Sequence, residues 1–419
     1  MSVFQDFDIV DSKTLKFRLS PASVTYANSI RRAVQTEVSI LGFRADMTEG
    51  GSTSDVKVYK NSTPMSNEML ADRVGLLPIV MPDGSGWDKE SVLFKLHVKN
   101  ETDEVRLVTA SDFECLEQQA TSEERVRVPN TRFFHPDPVT GETCLLAVLK
   151  PMVEGQEPEE IHLEAWATLG KGREHTRFNP VAQCAYAYTR DDSKDRILEL
   201  WQKWLKEMKK LDPTEVEKDS EKKAMLEREF RSLEIYRCFK IDGAGEPYSY
   251  DFTVETVGTM DVATIISEAL KGLVTMCKKY ESIDHELPPN VDIRPADAAM
   301  KGFDVWFTGE DHTMGNLLQT WLSDFKMDGV LTFAGYKVPH PLRDEMLLRI
   351  AVEDASEATA RSAIAEAAKA LADMFTEWTM DWQSSLQASG IKMQNTTEPA
   401  KKVWNAYADG KAKRGVANR

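Results

Sequence analysis

The chain has few cysteines, and they do not form metal-binding or disulfide patterns. It has five in 419 residues, no two of them in a Cys-x-x-Cys pair: Cys115, Cys144, Cys184, Cys238 and Cys277. Zinc ribbons and disulfide frameworks need closely or regularly spaced cysteines, so the spacing indicates neither. We expect free, buried thiols in a reducing compartment.

Long apolar runs are also missing. No stretch approaches the roughly 20 apolar residues that a membrane-spanning helix needs. The first residues, Met-Ser-Val-Phe-Gln-Asp, lack the basic region and apolar run of a signal peptide. We therefore expect an intracellular protein with no membrane contact.

Positive charge is scarce. The chain has 52 Lys and Arg against 68 Asp and Glu, a net charge of −16. A protein that wraps nucleic acid by itself needs clustered cations that neutralise phosphates. Only 170–177 and the C-terminal tail are basic, and the Gly-Lys-Gly at 170–172 is a weak phosphate-binding signal. An independent DNA-binding module stays an alternative that would need a basic face.

Catalytic clusters are not evident either. Phosphoryl transfer needs closely spaced carboxylates that hold Mg²⁺, and no Asp-x-Asp-x-Asp occurs. His135 with Asp137, and His312 beside Asp311, each lack a second ligand at a useful spacing. We interpret them as loop or capping residues and predict no catalytic residue, although an enzyme stays the second hypothesis.

The most informative stretch is 310–350. Asp311 and Thr313 can cap the start of a helix, where Asp311 also favours the positive end of the helix dipole. The residues that follow have helical spacing and form one apolar stripe: Met314, Leu317, Leu318, Trp321, Leu322 and Phe325. A strand at 330–336, a Pro-His-Pro turn and a second strand at 346–352 complete the unit. The stripe needs a cover.

A weak internal repeat supplies that cover. Strands at 15–19 and 303–308 each precede an amphipathic helix, at 26–38 and 314–325, and each half closes with a long amphipathic helix at 259–281 or 356–385. We therefore predict an α+β fold of two units paired pseudo-symmetrically, the first carrying an antiparallel β insertion. The predicted seam comprises Ile30, Val34, Ile265, Leu273, Met314, Leu317, Leu318, Trp321 and Phe375.

Composition shifts predict the domain boundaries. We expect a larger unit at 1–80 and 250–282, a β insertion at 81–190, a charged helical segment at 191–249, a proline-containing linker at 283–301, a smaller unit at 302–388 and a disordered tail at 389–419.

Two sets of motifs resemble the α-like subunits of multisubunit RNA polymerases. The motifs at 310–318 and 333–342 resemble the small subunit: the eleventh of eukaryotic polymerase II and archaeal L. Those at 27–32 and 71–78 resemble its larger partner: the third subunit and archaeal D. The resemblance spans about 5–282 and 300–386. The signature residues of the small subunit are Asp311, His312, Gly315, Asn316, Gly335, Tyr336, Pro339, His340 and Pro341.

This resemblance implies a natural fusion of two subunits, paired helix to helix as a non-catalytic platform on which the two largest polymerase subunits assemble. Carried over by motif, the large-subunit interface would comprise Asn28, Arg31, Arg32 and Arg73. Small polymerase subunits are further expected partners, with one copy per polymerase and no homodimer. The alternative is a standalone nucleic-acid-binding or polymerase-assembly factor with this fold.

The resemblance also bears on cofactors and source. Larger partners often carry a cysteine-rich metal loop or an iron–sulfur cluster, whereas 82–88 contains no cysteine. We therefore predict no metal and no other cofactor. Fusions of this kind imply a large cytoplasmic DNA virus, and hence location in the host cytoplasm, with the virion as a further location. A cellular chain would act in the intracellular transcription compartment.

Overall fold

The structure is a computed structural model that describes residues 2–45, 55–80, 87–119, 124–296, 302–327 and 329–393. The described α-helices are α1 Val24–Thr36, α2 Asn67–Gly75, α3 Lys194–Trp204, α4 Pro213–Val216, α5 Ser220–Ser232, α6 Val262–Lys278, α7 His312–Lys326 and α8 Glu357–Ala388. The described strands are β1 Phe4–Ile9, β2 Thr14–Leu19, β3 Ser39–Gly42, β4 Val56–Asn61, β5 Val92–Lys99, β6 Arg106–Thr109, β7 Glu114–Gln118, β8 Arg125–Val128, β9 Leu145–Leu149, β10 Glu160–Trp166, β11 Thr168–Lys171, β12 Val181–Tyr188, β13 Tyr250–Thr256, β14 Val291–Pro295, β15 Phe303–Thr308, β16 Leu331–Lys337 and β17 Glu345–Val352.

The chain divides into two compact units, whose boundaries differ from the predicted domain boundaries. The first unit comprises 1–32, 184–254 and 273–389, and the second comprises 33–183 and 255–272 with 390–393 of the described tail. These units do not follow the predicted boundaries, since residues 1–80 are shared between them. The predicted functional domains therefore stay a prediction, and the rest of the tail lies outside the described residues.

The first unit contains two four-stranded sheets, ordered β1-β2-β13-β12 and β14-β15-β17-β16. Strand β13 alternates buried and half-buried residues, the period-2 pattern of a strand with one face on a core. In the second sheet Asp304 and Arg349 are cross-strand partners joined by two charge-assisted hydrogen bonds of 2.6 and 2.7 Å. Helix α7 packs on β16 and on α8.

The stretch 283–301, predicted to be a linker, contains part of a sheet. Strand β14 pairs antiparallel with β15, from Val291 opposite Phe307 to Pro295 opposite Phe303. The prolines of this stretch are typical of a linker and hide the strand in the sequence pattern. Pro295 is accommodated because β14 is an edge strand and Pro295 ends it, where no ladder hydrogen bond is needed on the outer side.

The charged segment 191–249 is helical, as its sequence pattern predicts, and has a small core of its own. The buried residues of that core come from α3, α4, α5 and the turn after α3: Trp201, Trp204, Leu205, Val216, Leu226 and Phe230. Its ends meet, because Asp191 N donates to Cys238 O at 2.8 Å and Lys240 N to Thr189 O at 3.0 Å. The segment 191–249 therefore leaves the end of β12 and returns to it, and we call it the excursion.

The second unit carries the β insertion. Its main sheet has the order β4-β10-β5-β7-β8, with every adjacent pair antiparallel. The pairs β3–β11 and β6–β9 are also antiparallel. Strand β10 alternates buried and half-buried residues along its whole length, which places one face on the core. An antiparallel β insertion was predicted here.

Two further observations concern the described residues alone. None of their helices combines the length and apolar character needed to cross a bilayer. All five cysteines are free, and four are buried; Cys144 is exposed, contrary to the expectation that every thiol is buried.

Candidate assembly interface

Helices α1 and α7 are joined by side-chain hydrogen bonds in the first unit. Thr25 Oγ1 lies 3.0 Å from Thr320 Oγ1 and accepts a hydrogen bond from Asn316 Nδ2 at 3.3 Å. At the other end of α1, Arg32 reaches the start of α7. Contacts in this order are those of antiparallel helices. We call this α1–α7 contact the seam.

Arg32 is the ionic contact of the seam. Its Nη2 donates to Asp311 Oδ2 at 2.8 Å and its Nε to Thr313 Oγ1 at 2.7 Å. Asp311 also caps α7, because its Oδ1 accepts from Thr313 N at 2.7 Å. The predicted capping function of Asp311 is present in the structure, and the same carboxylate binds a residue 279 positions away. Sequence reasoning did not foresee this pair.

A second polar contact surrounds Glu310, immediately before the cap. Glu310 is only 2% exposed, and its Oε1 accepts from Tyr280 Oη at 2.9 Å and Lys279 Nζ at 3.2 Å. Tyr280 Oη in turn accepts from Asn290 Nδ2 at 2.9 Å. A buried carboxylate is costly unless it is paired and hydrogen-bonded. This network therefore stabilises the junction between the end of α6 and the start of α7.

Gly315 permits the close packing of α7 on β16. A Cβ at this position would lie 2.3 Å from Cδ2 of Tyr336. The Tyr336 backbone N–H also donates to Gln319 Oε1 at 3.0 Å. Two of the signature residues are thus explained by one contact, in which a ring packs against the backbone of the helix.

The other signature residues lie at different places. Asn316 contributes to the seam through Thr25, as described above. His312 is exposed, with its ring 5.8 Å from that of Tyr336. Pro339, His340 and Pro341 form an exposed turn after β16, in which His340 Nδ1 accepts from Leu342 N. Gly335 faces Phe333, whose Cζ would lie 2.8 Å from an added Cβ.

The apolar residues predicted for the seam are buried with one exception. Ile30, Val34, Ile265, Leu273, Met314, Leu317, Leu318 and Phe375 are all fully buried. Trp321 is half-buried and packs on Phe325, which is 65% exposed. The buried stripe therefore ends at Leu322, and Phe325, which was predicted to belong to it, is exposed to solvent.

Aromatic side chains join the end of α8 to the N-terminal strands. Phe4 packs edge-on against Trp378 and Trp382, with ring centroids 6.0 and 5.0 Å apart. Tyr26 of α1 lies against Phe375 and Trp378. Burial raises the pKa of Tyr26 to about 12. The two halves of the predicted repeat are thus in contact along α8 as well as along α7.

Arg31 has a different environment from Arg32. Its Nε and Nη2 both donate to Asn28 Oδ1, at 3.0 and 2.9 Å, on the same helix. Arg31 also lines an open groove of about 700 Å³ beside β12. The predicted interface pair of Asn28 and Arg31 therefore stands together, whereas Arg32 turns into the seam.

Arg73, the fourth predicted interface residue, lies in the second unit. Its Nε and Nη2 donate to the carbonyl oxygens of Leu146 and Leu145, at 2.6 and 2.9 Å. It therefore ties α2 to β9. The structure does not bring Arg73 together with Asn28 and Arg31 in one compact unit.

The basic loop at 170–180 is used inside the second unit. A Cβ on Gly172 would lie 1.9 Å from Gln35 O, and Phe178 is fully buried. Lys171 and Arg173 face Glu37 at 3.2 and 3.4 Å, so a carboxylate stands where a phosphate would be expected. The arrangement favours a structural interpretation over the weak phosphate-binding signal.

Among the described residues, no group of three or more His, Cys, Asp or Glu side chains is arranged to hold a metal ion. The four buried thiols are poor nucleophiles by their chemistry, since burial raises the pKa of Cys115, Cys184 and Cys277 to about 12 and also raises the pKa of Cys238, which keeps the thiols protonated. The candidate site is the set of side-chain contacts described above, with the seam at its centre.

Comparison with known proteins relates the part of this site that contains α7 to a dimerisation domain. Residues 303–380 match the family described as RNA polymerase Rpb3/Rpb11 dimerisation domain. The matched segment begins with β15 and contains α7, both following strands and most of α8. It lies within the predicted smaller unit, 302–388.

Full-length relatives are similar over a larger share of the chain. DNA-directed RNA polymerase subunit Rpo3 of Methanopyrus kandleri is 27% identical over 315 residues, which cover 68% of this chain and 96% of the relative. The conjugation stage-specific protein of Tetrahymena thermophila is 24% identical, over 66% and 92%. Human DNA-directed RNA polymerases I and III subunit RPAC1 is 23% identical, over 65% and 81%. These similarities support an α-like RNA polymerase subunit.

Proposed function

We propose that the chain is a non-catalytic assembly subunit of a multisubunit DNA-directed RNA polymerase, in which both α-like subunits are fused into one polypeptide. The observation that carries the proposal is the seam: α1, in the half that resembles the larger subunit, is bound to α7, in the half that matches the dimerisation domain. A heterodimer contact would thereby have become internal.

The lengths of the matches support the fusion. Almost the whole of an Rpo3 relative aligns with 68% of this chain, so about a third of the chain has no counterpart in that alignment. A second half with its own strands and its own dimerisation-domain match accounts for that excess. The pseudo-symmetric pairing of the two halves is part of the same proposal.

The proposed partners are the two largest polymerase subunits and further small subunits, with one copy of this chain per complex. Asn28 and Arg31 are the proposed contact residues for a large subunit, because they stand together beside an open groove. Arg32 and Arg73, predicted for the same interface, have backbone or seam partners that a structural function explains. Their direct contact with a large subunit stays a prediction.

Fusion also underlies the proposed source and location, a large cytoplasmic DNA virus and the host cytoplasm. We also propose that the chain has no catalytic function of its own. The second candidate function is that of a standalone polymerase-assembly factor. The similarity to nearly whole polymerase subunits favours a permanent subunit of the complex over such a factor.

Co-purification tests the proposal. A tagged chain expressed in its source is expected to bring down the two largest polymerase subunits in equal amounts. The Arg31→Glu variant is expected to lose both while remaining folded, because the reversed charge opposes a partner that the arginine binds. Recovery of the wild-type chain alone would contradict an assembly subunit, and unchanged recovery with Arg31→Glu would contradict only the assignment of Arg31.

A further inference from the structure

The groove beside β12 has an unusual lining for an acidic protein. Its walls combine two arginines and four exposed or half-buried aromatic rings with small residues, and contain no carboxylate: Arg31, Cys184, Ala185, Tyr186, Ala187, Tyr188, Arg190, Tyr236 and Phe239. The chain as a whole has 68 acidic against 52 basic residues. We call this lining the aromatic groove.

The groove is built from two parts of the first unit. One wall is the outer side of β12, the last strand in the order β1-β2-β13-β12, with Arg31 of α1. The opposite wall is the exit of the charged helical segment, with Tyr236 and Phe239. That exit is fixed by the bridge between Arg190 and Phe239. The excursion at 191–249 therefore completes a surface that the sheet alone would not form.

The rings form a continuous platform. Tyr188 packs on Phe239 at 4.9 Å and on Tyr250 at 5.7 Å between ring centroids, and Tyr186 packs on Tyr250 at 5.4 Å. Tyr236 is 58% exposed and carries the Arg190 guanidinium 5.3 Å above its ring. Tyrosines held in this way present apolar area at a low entropic cost, as they do in binding sites for polypeptides.

We propose that the aromatic groove binds an extended acidic segment of a partner polypeptide. Carboxylates of the segment would bind at Arg31 and Arg190, and an apolar or aromatic side chain between them would lie on Tyr186 and Tyr188. Charge complementarity carries the choice of partner, since the lining has two cationic side chains and no acidic one. Asp192, outside the lining, lies 3.6 Å from Arg190 and its side chain is 80% exposed, so a partner carboxylate would compete with a loose, solvated ion pair.

Single-stranded nucleic acid is the competing ligand, because bases stack on aromatic rings and phosphates bind arginine. The net charge of −16 repels any anionic ligand, and it disfavours nucleic acid more, because every nucleotide carries a phosphate charge whereas a short peptide segment can place its carboxylates at the two arginines alone. The proposal concerns this surface alone and does not rest on membership of a polymerase.

Fluorescence anisotropy with the full chain tests the proposal. The probe is a labelled octapeptide of alternating Glu and Tyr, compared with the same peptide of Gln and Tyr and with a labelled oligothymidylate. The acidic peptide is expected to bind, and the Gln peptide to bind about tenfold more weakly, because its charge-assisted hydrogen bonds are lost. Absence of binding by the acidic peptide, or stronger binding of oligothymidylate, would overturn the proposal.

Variants locate the binding. Arg190→Glu is expected to weaken binding of the acidic peptide by about tenfold or more. The matched control is Arg294→Glu, because Arg294 is also exposed, lies 5.8 Å from the Trp306 ring and pairs with an aspartate two residues away. An unchanged affinity with Arg190→Glu, or an equal loss with Arg294→Glu, would refute the assignment.

A second pair of variants tests the aromatic wall. Tyr236→Ala is expected to weaken binding severalfold, whereas Tyr59→Ala is not, although the two tyrosines are 58% and 56% exposed. Because both side chains lie at the surface, neither change should alter the fold. Equal effects of the two changes would indicate nonspecific adsorption and refute the groove.

Discussion

Two neighbouring residues of α1 contribute to the seam and to the aromatic groove, and they differ in the groups that they contact. Arg32 finds Asp311 and Thr313 within the chain, at 2.8 and 2.7 Å. Arg31 binds Asn28 on its own helix and faces a groove that is open to solvent. Adjacent basic residues therefore have different environments: Arg32 joins the two halves, and Arg31 borders the open groove where we propose that a partner binds.

The strongest way to break the seam is a charge at a buried residue that is predicted to belong to it. Leu317 is fully buried, so Leu317→Asp would place a carboxylate in an apolar contact at a cost of about 3 kcal/mol or more. The test needs a protease site inserted after His285, whose side chain is 86% exposed. After cleavage of the Leu317→Asp variant at this site, we expect its two halves to separate on gel filtration. Wild-type halves should stay together after the same cleavage.

The control for that change is Ser323→Asp, which adds the same charge to an exposed position of α7. Its cleaved halves should co-elute. If Leu317→Asp halves also co-eluted, the seam would not be what holds the halves together.

A smaller change sharpens the account of α7 on β16. Ala usually stabilises a helix interior relative to Gly by about 0.5–1 kcal/mol. Gly315→Ala is expected to do the opposite by about 1–3 kcal/mol, because its Cβ would collide with the Tyr336 ring. Urea unfolding measures both this variant and Gly315→Ala with Tyr336→Ala, in which the added methyl group should cost little. A stabilising Gly315→Ala would contradict the close approach.

The ionic contact can be separated from the helix cap. Asp311→Asn keeps a capping oxygen but removes the charge that pairs with Arg32, so we expect a loss of about 1 kcal/mol. Asp311→Ala removes both and should cost about 2 kcal/mol in the same urea unfolding experiment. Equal losses for the two variants would show that the charge contributes nothing.

The smallest expected effect is a dependence on alkaline pH. Burial first, and the nearby Asp324 second, raise the pKa of Tyr26 from 10.0 to about 12. A pKa raised in the folded state stabilises the fold fully below pH 10, and this contribution is lost as the pH rises from about 10 to about 12. The free energy of unfolding of the wild type should therefore fall over this interval relative to Tyr26→Phe. Parallel curves would show that Tyr26 is not buried by α8.

Periodic patterns made much of the fold predictable. The apolar residues of α1 and α7 recur at helical spacing, and α1 and α7 lie within two residues of the predicted 26–38 and 314–325. Burial of Leu317 and Leu318 followed from the same spacing. Strand β1 was not predicted, because its sequence, Phe-Gln-Asp-Phe-Asp-Ile, does not alternate apolar and polar residues.

Contacts between residues far apart in the chain could not be predicted from the sequence pattern. Glu310 precedes a recognisable cap, but nothing in the spacing indicates Tyr280 and Asn290 as its neighbours. Likewise, Arg31 and Arg32 point about 100° apart on a helix, and only the position of α7 decides which of them enters the seam. The aromatic groove depends on where the excursion returns, which no local pattern specifies.

The central claim, that two α-like subunits are fused in this chain, is tested most directly by the native mass and subunit composition of the complex it purifies with. We expect one copy of this 419-residue chain with the two largest polymerase subunits, and no separate small α-like subunit. Two copies of the chain, or an additional free subunit resembling 302–388, would contradict the fusion.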